Sequence, residues 1–182
     1  MKFIICSHFW GFRMDQIYVS PQQMFAYSFT LGKKVYDSGY VPSIILTIWR
    51  GGAIPGLCVQ QYFEYKHQHP LDNVVKIRSY SGQERKQTYT HSLNCIYEMK
   101  PEGENILIVD DIFETGETMN CIIKHIRKIR RPQNIRTATV WLKPQKVKVG
   151  FLPDYHVNEA NNDEWIVFPH EDITRLPSRY LW

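Results

Sequence analysis

Four short runs rich in β-branched residues, at 44–49, 74–79, 106–110 and 137–142, limit the possible folds of this chain more than any other feature. Each is nearly continuous in apolar character and bounded by turn-forming residues, the pattern of strands covered on both faces. Between them, residues 22–37, 53–64 and 118–130 carry helical spacing. In the last stretch Met119, Ile122, Ile123, Ile126 and Ile129 recur three and four apart, while Lys124, Arg127, Lys128 and Arg131 largely take the other side. Strands alternating with helices predict right-handed crossovers and a parallel α/β sheet.

The rest of the chain bounds the partners. One domain over residues 1–182 is expected, and a chain of this length buries roughly 70% of its unfolded surface. With 43% apolar residues and a net charge of +4, disorder is excluded. The basic residues of 124–131 read as a solvated helix face rather than a nucleic-acid footprint. No run nears the roughly 20 apolar residues of a membrane helix. The six residues at the start are too short an apolar run for a signal peptide. Cys6, Cys58, Cys95 and Cys121 form no C-x-x-C pair. These features predict a reduced, cytoplasmic protein with no membrane partner. His67 and His69, alternate residues in a polar stretch, read as solvent-facing. Residues 80–97 are polar and mixed in charge, too long a loop unless it is a mobile lid or a binding loop. Residues 150–182 form an irregular appendage carrying the apolar string 165–168, and residues 1–20 have no placement.

Chemistry concentrates in ILIVDDIFETGETM, residues 106–119. An apolar strand is expected to end at Asp110 and Asp111, followed by a turn with Glu114, Thr115, Gly116, Glu117 and Thr118, then a helix. Ligands of open α/β sheets bind at the carboxyl ends of strands. A turn of small and hydroxyl residues at a helix N-terminus presents backbone N–H groups and a positive dipole end, which suits a phosphate. Paired aspartates can accept hydrogen bonds from vicinal hydroxyls, or hold a hard divalent cation through oxygen. Phosphate, diol and cation together describe a phosphorylated ribose. Neither G-x-x-x-x-G-K-[ST] nor G-x-G-x-x-G occurs, so a P-loop and a dinucleotide fingerprint are excluded. Two aspartates alone are more often a solvated turn; the whole string is more specific.

The string resembles the phosphoribosyl pyrophosphate (PRPP) motif of type I phosphoribosyltransferases. That resemblance implies a single-domain parallel sheet with helices on both faces and a small C-terminal hood. It implies PRPP with Mg²⁺ as substrate, the 5′-phosphate in the Thr115 to Thr118 loop, and Asp110 and Asp111 on the ribose hydroxyls. Three further segments are similar to the 6-oxopurine branch of xanthine–guanine and hypoxanthine–guanine enzymes. TIWRGGAIPG, residues 47–56, matches a strand–turn–helix in which Arg50 and Gly51 would meet pyrophosphate, with Trp49 in place of the usual small residue. WLKPQ, residues 141–145, matches the strand ending in a purine-reading lysine, here Lys143. EWIVFPHE, residues 164–171, resembles the base-binding hood. Trp165 would stack on the purine, the Ile166 carbonyl would accept from an exocyclic amine, and Glu171 would join Asp110 and Asp111 as metal ligands.

RSYSGQERK, residues 78–86, lies where the family has its mobile loop, opening at Ser79 and Tyr80, with Arg85 reaching pyrophosphate. Lysine is only a donor, so it suits O6 and opposes the 6-amino group of adenine. A buried unpaired donor costs about 1–3 kcal/mol, roughly ten- to a hundredfold in selectivity. Glu114 stands where the branch mostly carries Asp; the extra methylene shifts the carboxylate by roughly 1 Å. By resemblance, Glu114 is the catalytic acceptor of the purine ring proton in a purine-salvage enzyme that assembles as a homodimer or homotetramer. The alternative of another class is a non-catalytic regulator of the same fold that senses PRPP or a nucleotide.

Overall fold

The computed structural model describes residues 15–78, 89–91, 104–129 and 132–171. In chain order these residues form β1 (Asp15–Tyr18), α1 (Pro21–Asp37), β2 (Ile44–Trp49), α2 (Ala53–Tyr65), β3 (Leu71–Arg78), β4 (Tyr89–His91), β5 (Asn105–Phe113), α3 (Glu117–Ile129), β6 (Asn134–Leu142), β7 (Tyr155–Glu159) and β8 (Glu164–Val167). A six-stranded sheet runs β4-β3-β2-β5-β6-β7. Five of its strands are parallel, and β4 pairs antiparallel with β3 at one edge.

Side chains alternate across the central strands, and both faces are covered. Ile45, Leu107, Val109, Ala138 and Val140 pack with Leu31 and Val35 of α1 and Val59 and Phe63 of α2. The intervening Ile44, Leu46, Ile48, Ile106 and Ile108 pack on Met119, Ile122 and Ile126 of α3. That is why β2 and β5 read as unbroken apolar runs. Each such side chain contributes roughly 1.5–3 kcal/mol on burial. The expected parallel sheet with helices on both faces is therefore the observed one.

Several local features differ from the sequence reading: β3 and β6 begin at Leu71 and Asn134, three residues earlier than expected, and β4 falls within 80–97, the stretch expected to be a loop. β5 does not stop at Asp110; it runs on to Phe113, because Ile112 and Phe113 pair with Trp141 and Leu142 of β6. β7, in a stretch expected to be irregular, adds an edge strand whose His156, Asn158 and Glu159 supply no apolar run. It is tied in by Asp154, whose carboxylate accepts from the Thr137 N–H (2.8 Å) and hydroxyl (3.0 Å). Finally, residues 15–18, left unplaced by the sequence, form β1 and pair in parallel with β8. Val19 extends that ladder by donating to the Val167 carbonyl at 3.0 Å, and Val19, Ile166 and Phe168 join the α1–α2 core. The hood thus has a two-stranded sheet of its own.

The turn from β1 into α1 is secured by a capping box. The Gln23 N–H donates to Ser20 Oγ, the Ser20 N–H donates to Gln23 Oε1, and Pro21 occupies the first turn. Among the described residues no helix is long and apolar enough to cross a membrane. Residues 1–14, the loop outside 89–91, and the Cys6, Cys95 and Arg131 positions lie outside the described residues. Cys58 is buried and free, its thiol pushed up to about 11 by burial, which suits a packing role rather than a nucleophile.

Candidate active site at the carboxyl edge of the sheet

The carboxyl ends of β2, β5 and β6 meet the hood around a cavity of about 570 Å³. Arg50, Gly51, Asp110, Asp111, Glu114, Thr118, Lys143, Trp165, Ile166 and Glu171, all singled out in the sequence, line it. A smaller cavity of about 230 Å³ opens beside it, lined by Asp110, Glu114, Thr115, Gly116 and Thr118. Glu117 lines neither. It sits at the first turn of α3, where its N–H donates to Thr115 Oγ1 and its carboxylate accepts from the same hydroxyl, both at 3.3 Å. Arg85, Ser79 and Tyr80 fall outside the described residues.

Two glycines are required by geometry. Gly116 has φ of 76°, and a Cβ there would overlap Phe113 and Val149, so the turn into α3 needs the bare backbone. At Gly51 the reason differs from the one expected. A Cβ would overlap the Asp111 carboxylate, so this glycine makes room for that acid. The preceding Trp49–Arg50 peptide is cis.

Asp110 and Asp111 form an electrostatically loaded pair. The Asp111 N–H donates to Asp110 Oδ1 at 3.0 Å. Burial first, and then the Asp111 charge, holds the Asp110 carboxyl well above the usual range. Burial also raises Asp111, against the opposing pull of His170, whose Nε2 stands 3.5 Å from Asp111 Oδ2. Two buried acids whose ionised forms are disfavoured in this way are the situation a bound cation relieves. Glu171 lies near enough to raise Asp111 further, although one of its oxygens accepts from the Phe168 N–H at 3.1 Å. Among the described residues no cluster of three or more His, Cys, Asp or Glu side chains is arranged to hold a metal. His67 and His69 are exposed after α2. The carboxylate oxygens of the acid pair are donors of the kind a hard cation such as Mg²⁺ takes.

Glu114 and Lys143 form an ion pair in the wall of the same cavity. Lys143 is only 1% exposed, and its Nζ lies 2.6 Å from Glu114 Oε1. Burial works to raise the Glu114 pKa, but the hydrogen bond and charge of Lys143, with Lys146 behind it, outweigh that and leave it below the usual range. The carboxylate is thus ionised at neutral pH. The same ammonium lies 5.8 Å from the centre of the Trp165 ring, which is 45% exposed toward the cavity.

Trp49, His170 and Lys146 were not assigned a role from the sequence. His170 adjoins Glu171 and stacks on Phe168 at 5.6 Å, a placement no periodicity encodes. Lys146 lies in a short 3₁₀ turn, Pro144–Lys146, that follows the Lys143 motif.

A family model described as phosphoribosyl transferase domain matches residues 14–172. The chain is 28% identical over 151 residues to the xanthine-guanine phosphoribosyltransferase of Desulfotalea psychrophila, spanning 83% of each protein. It is 30% identical over 125 residues to the enzyme of that name from Nitratidesulfovibrio vulgaris, covering 69% of this chain and 66% of that one. Among solved structures, a purine phosphoribosyltransferase from Pyrococcus horikoshii superimposes with a TM-score of 0.67 at 26% identity, over 88% of this chain and 97% of that one.

Proposed function

The chain belongs to the phosphoribosyl transferase domain family, and on that premise we propose that it joins N9 of a 6-oxopurine to C1′ of PRPP in purine salvage. The carrying observation is the Lys143–Glu114 pair, whose lysine lies against the Trp165 ring and which shares one cavity with Arg50, Asp110 and Asp111. This donor and acceptor, held side by side, match a purine edge that offers O6 as acceptor next to a ring N–H. Lys143 donates to O6, Trp165 stacks on the base, and the Ile166 carbonyl accepts from an exocyclic amine when one is present.

The new bond forms between N9 and C1′, and the bond from C1′ to pyrophosphate breaks. Glu114 takes the proton that the purine ring releases, a role open to it because it is ionised before the base arrives. The turn from Thr115 to Thr118, at the start of α3, receives the 5′-phosphate. Asp110 and Asp111 accept from the ribose hydroxyls, and their charge favours the positive character that develops on the ring as pyrophosphate departs. Arg50 offsets charge on the leaving group. Mg²⁺, which the acid pair fits, would supply further neutralisation of pyrophosphate.

The test is pyrophosphate release from PRPP with Mg²⁺ and, in turn, guanine, xanthine, hypoxanthine and adenine. Turnover is expected with at least one oxopurine and roughly tenfold or more below that with adenine, the scale of an unpaired buried donor. Tight PRPP binding without turnover of any base would replace this reading with the non-catalytic regulator.

A further inference from the structure

Two lysines converge on one oxygen of Glu114. Lys143 Nζ is at 2.6 Å and Lys146 Nζ at 3.4 Å from the same Oε1. The first is buried, whereas the second is 31% exposed. The backbone around them is tied on both sides of Glu114: the Lys143 N–H donates to the Phe113 carbonyl at 2.9 Å, and the Lys148 N–H to the Thr115 carbonyl at 3.0 Å. Within that clasp the Lys146 N–H donates to the Lys143 carbonyl at 3.1 Å, closing the 3₁₀ turn. The turn after β6 is thereby laced to the turn after β5, which fixes the Lys146 backbone within reach of the carboxylate.

This arrangement has a consequence when a base binds. Resting on the function proposed above, O6 takes one of the three donors of the Lys143 ammonium, so Glu114 then shares its closest cation with the base. A partly buried carboxylate whose closest cation is shared is held and compensated less well unless a second cation stands beside it. We propose that Lys146 is a positioning residue that keeps Glu114 charged and aimed at the purine while Lys143 is engaged by O6. Lys146 does not touch the substrate in this account; it acts through Glu114. The exchange lets one carboxylate serve in turn as the resting partner of the base reader and as the proton acceptor.

The test compares the unaltered protein, Lys146→Met, Lys146→Arg, Glu114→Gln and the double variant Glu114→Gln with Lys146→Met. Steady-state kinetics is run with the preferred oxopurine and PRPP. Lys146→Met is expected to lower kcat/KM for the base about tenfold, since a misplaced reacting group costs up to roughly a hundredfold. KM for PRPP should stay within about twofold, and Lys146→Arg should restore most of the loss. Added to Glu114→Gln, Lys146→Met should cost nothing further, because neighbours acting through one group are not additive. Wild-type kinetics in Lys146→Met, equal losses toward base and PRPP, failure of Arg to restore activity, or full additivity in the double variant would each overturn the role. Turnover by the unaltered protein with any of those outcomes removes Lys146 alone. No turnover by the unaltered protein with any oxopurine removes the proposed function and the role of Lys146 together.

Discussion

β5 lies between β2 and β6 and is hydrogen-bonded along both edges, whereas β8 belongs to a separate two-stranded sheet with β1. The first carries Asp110, Asp111 and, one residue past its end, Glu114; the second carries Trp165 and Ile166. Backbone pairing on both sides holds the acids of β5 to a narrow geometry, which transfer chemistry needs. The hood is attached through Val19, Ile166 and Phe168 and through the His170–Asp111 contact, so it is anchored by few groups. Under the proposed function the contrast predicts a division of labour: the central sheet carries the rate-setting carboxylate and the O6 reader Lys143, and the hood carries the stacking surface for the base.

That division can be broken first at Glu114. Glu114→Gln should lower kcat by about a hundredfold or more, the usual scale of a lost proton acceptor, with little change in KM for PRPP. Near wild-type kcat in steady-state assays would move the rate-setting group elsewhere. The hood gives the complementary outcome. Trp165→Ala should raise KM for the base by the equivalent of about 1–3 kcal/mol of stacking while leaving KM for PRPP unchanged. A parallel rise in both constants would mean that the two regions do not act separately.

The smallest effect concerns stability. Burial and the Asp111 charge raise the Asp110 carboxyl above its ordinary 3.8, so the pair favours the fold at low pH. That contribution is lost as pH rises through the elevated folded-state value, because ionisation then costs more in the folded protein than in the unfolded chain. Asp110→Asn should therefore raise the Tm of the ligand-free protein at neutral pH and leave it level with wild type below pH 3.8. A variant that melts lower at neutral pH would show that the pair is compensated by a group outside this account.

Much of the core was legible because its physics is local. β2 falls on residues 44–49 as expected, and α1, α2 and α3 begin within one residue of their expected starts. The apolar spacing of α3 is carried by Met119, Ile122 and Ile126, which do pack on the sheet. The acid–turn–helix string was equally readable, since its members are neighbours in sequence. What escaped was built from pairings at long range or at edges. β7 reads as irregular because an edge strand need not be apolar, and β1 has no meaning until β8 lies beside it.

From the sequence alone came a parallel sheet buried on both faces and a turn of small and hydroxyl residues leading from its central strand into a helix. Apolar period and adjacent acids are written directly into the order of residues. The tertiary structure alone decided that Glu114 is shared by Lys143 and Lys146, that Asp111 fills the space left by Gly51, and that residues 15–18 brace the hood. Those contacts join segments far apart in the chain. Their strength depends on distance and burial, which become defined only once the strands have found their neighbours.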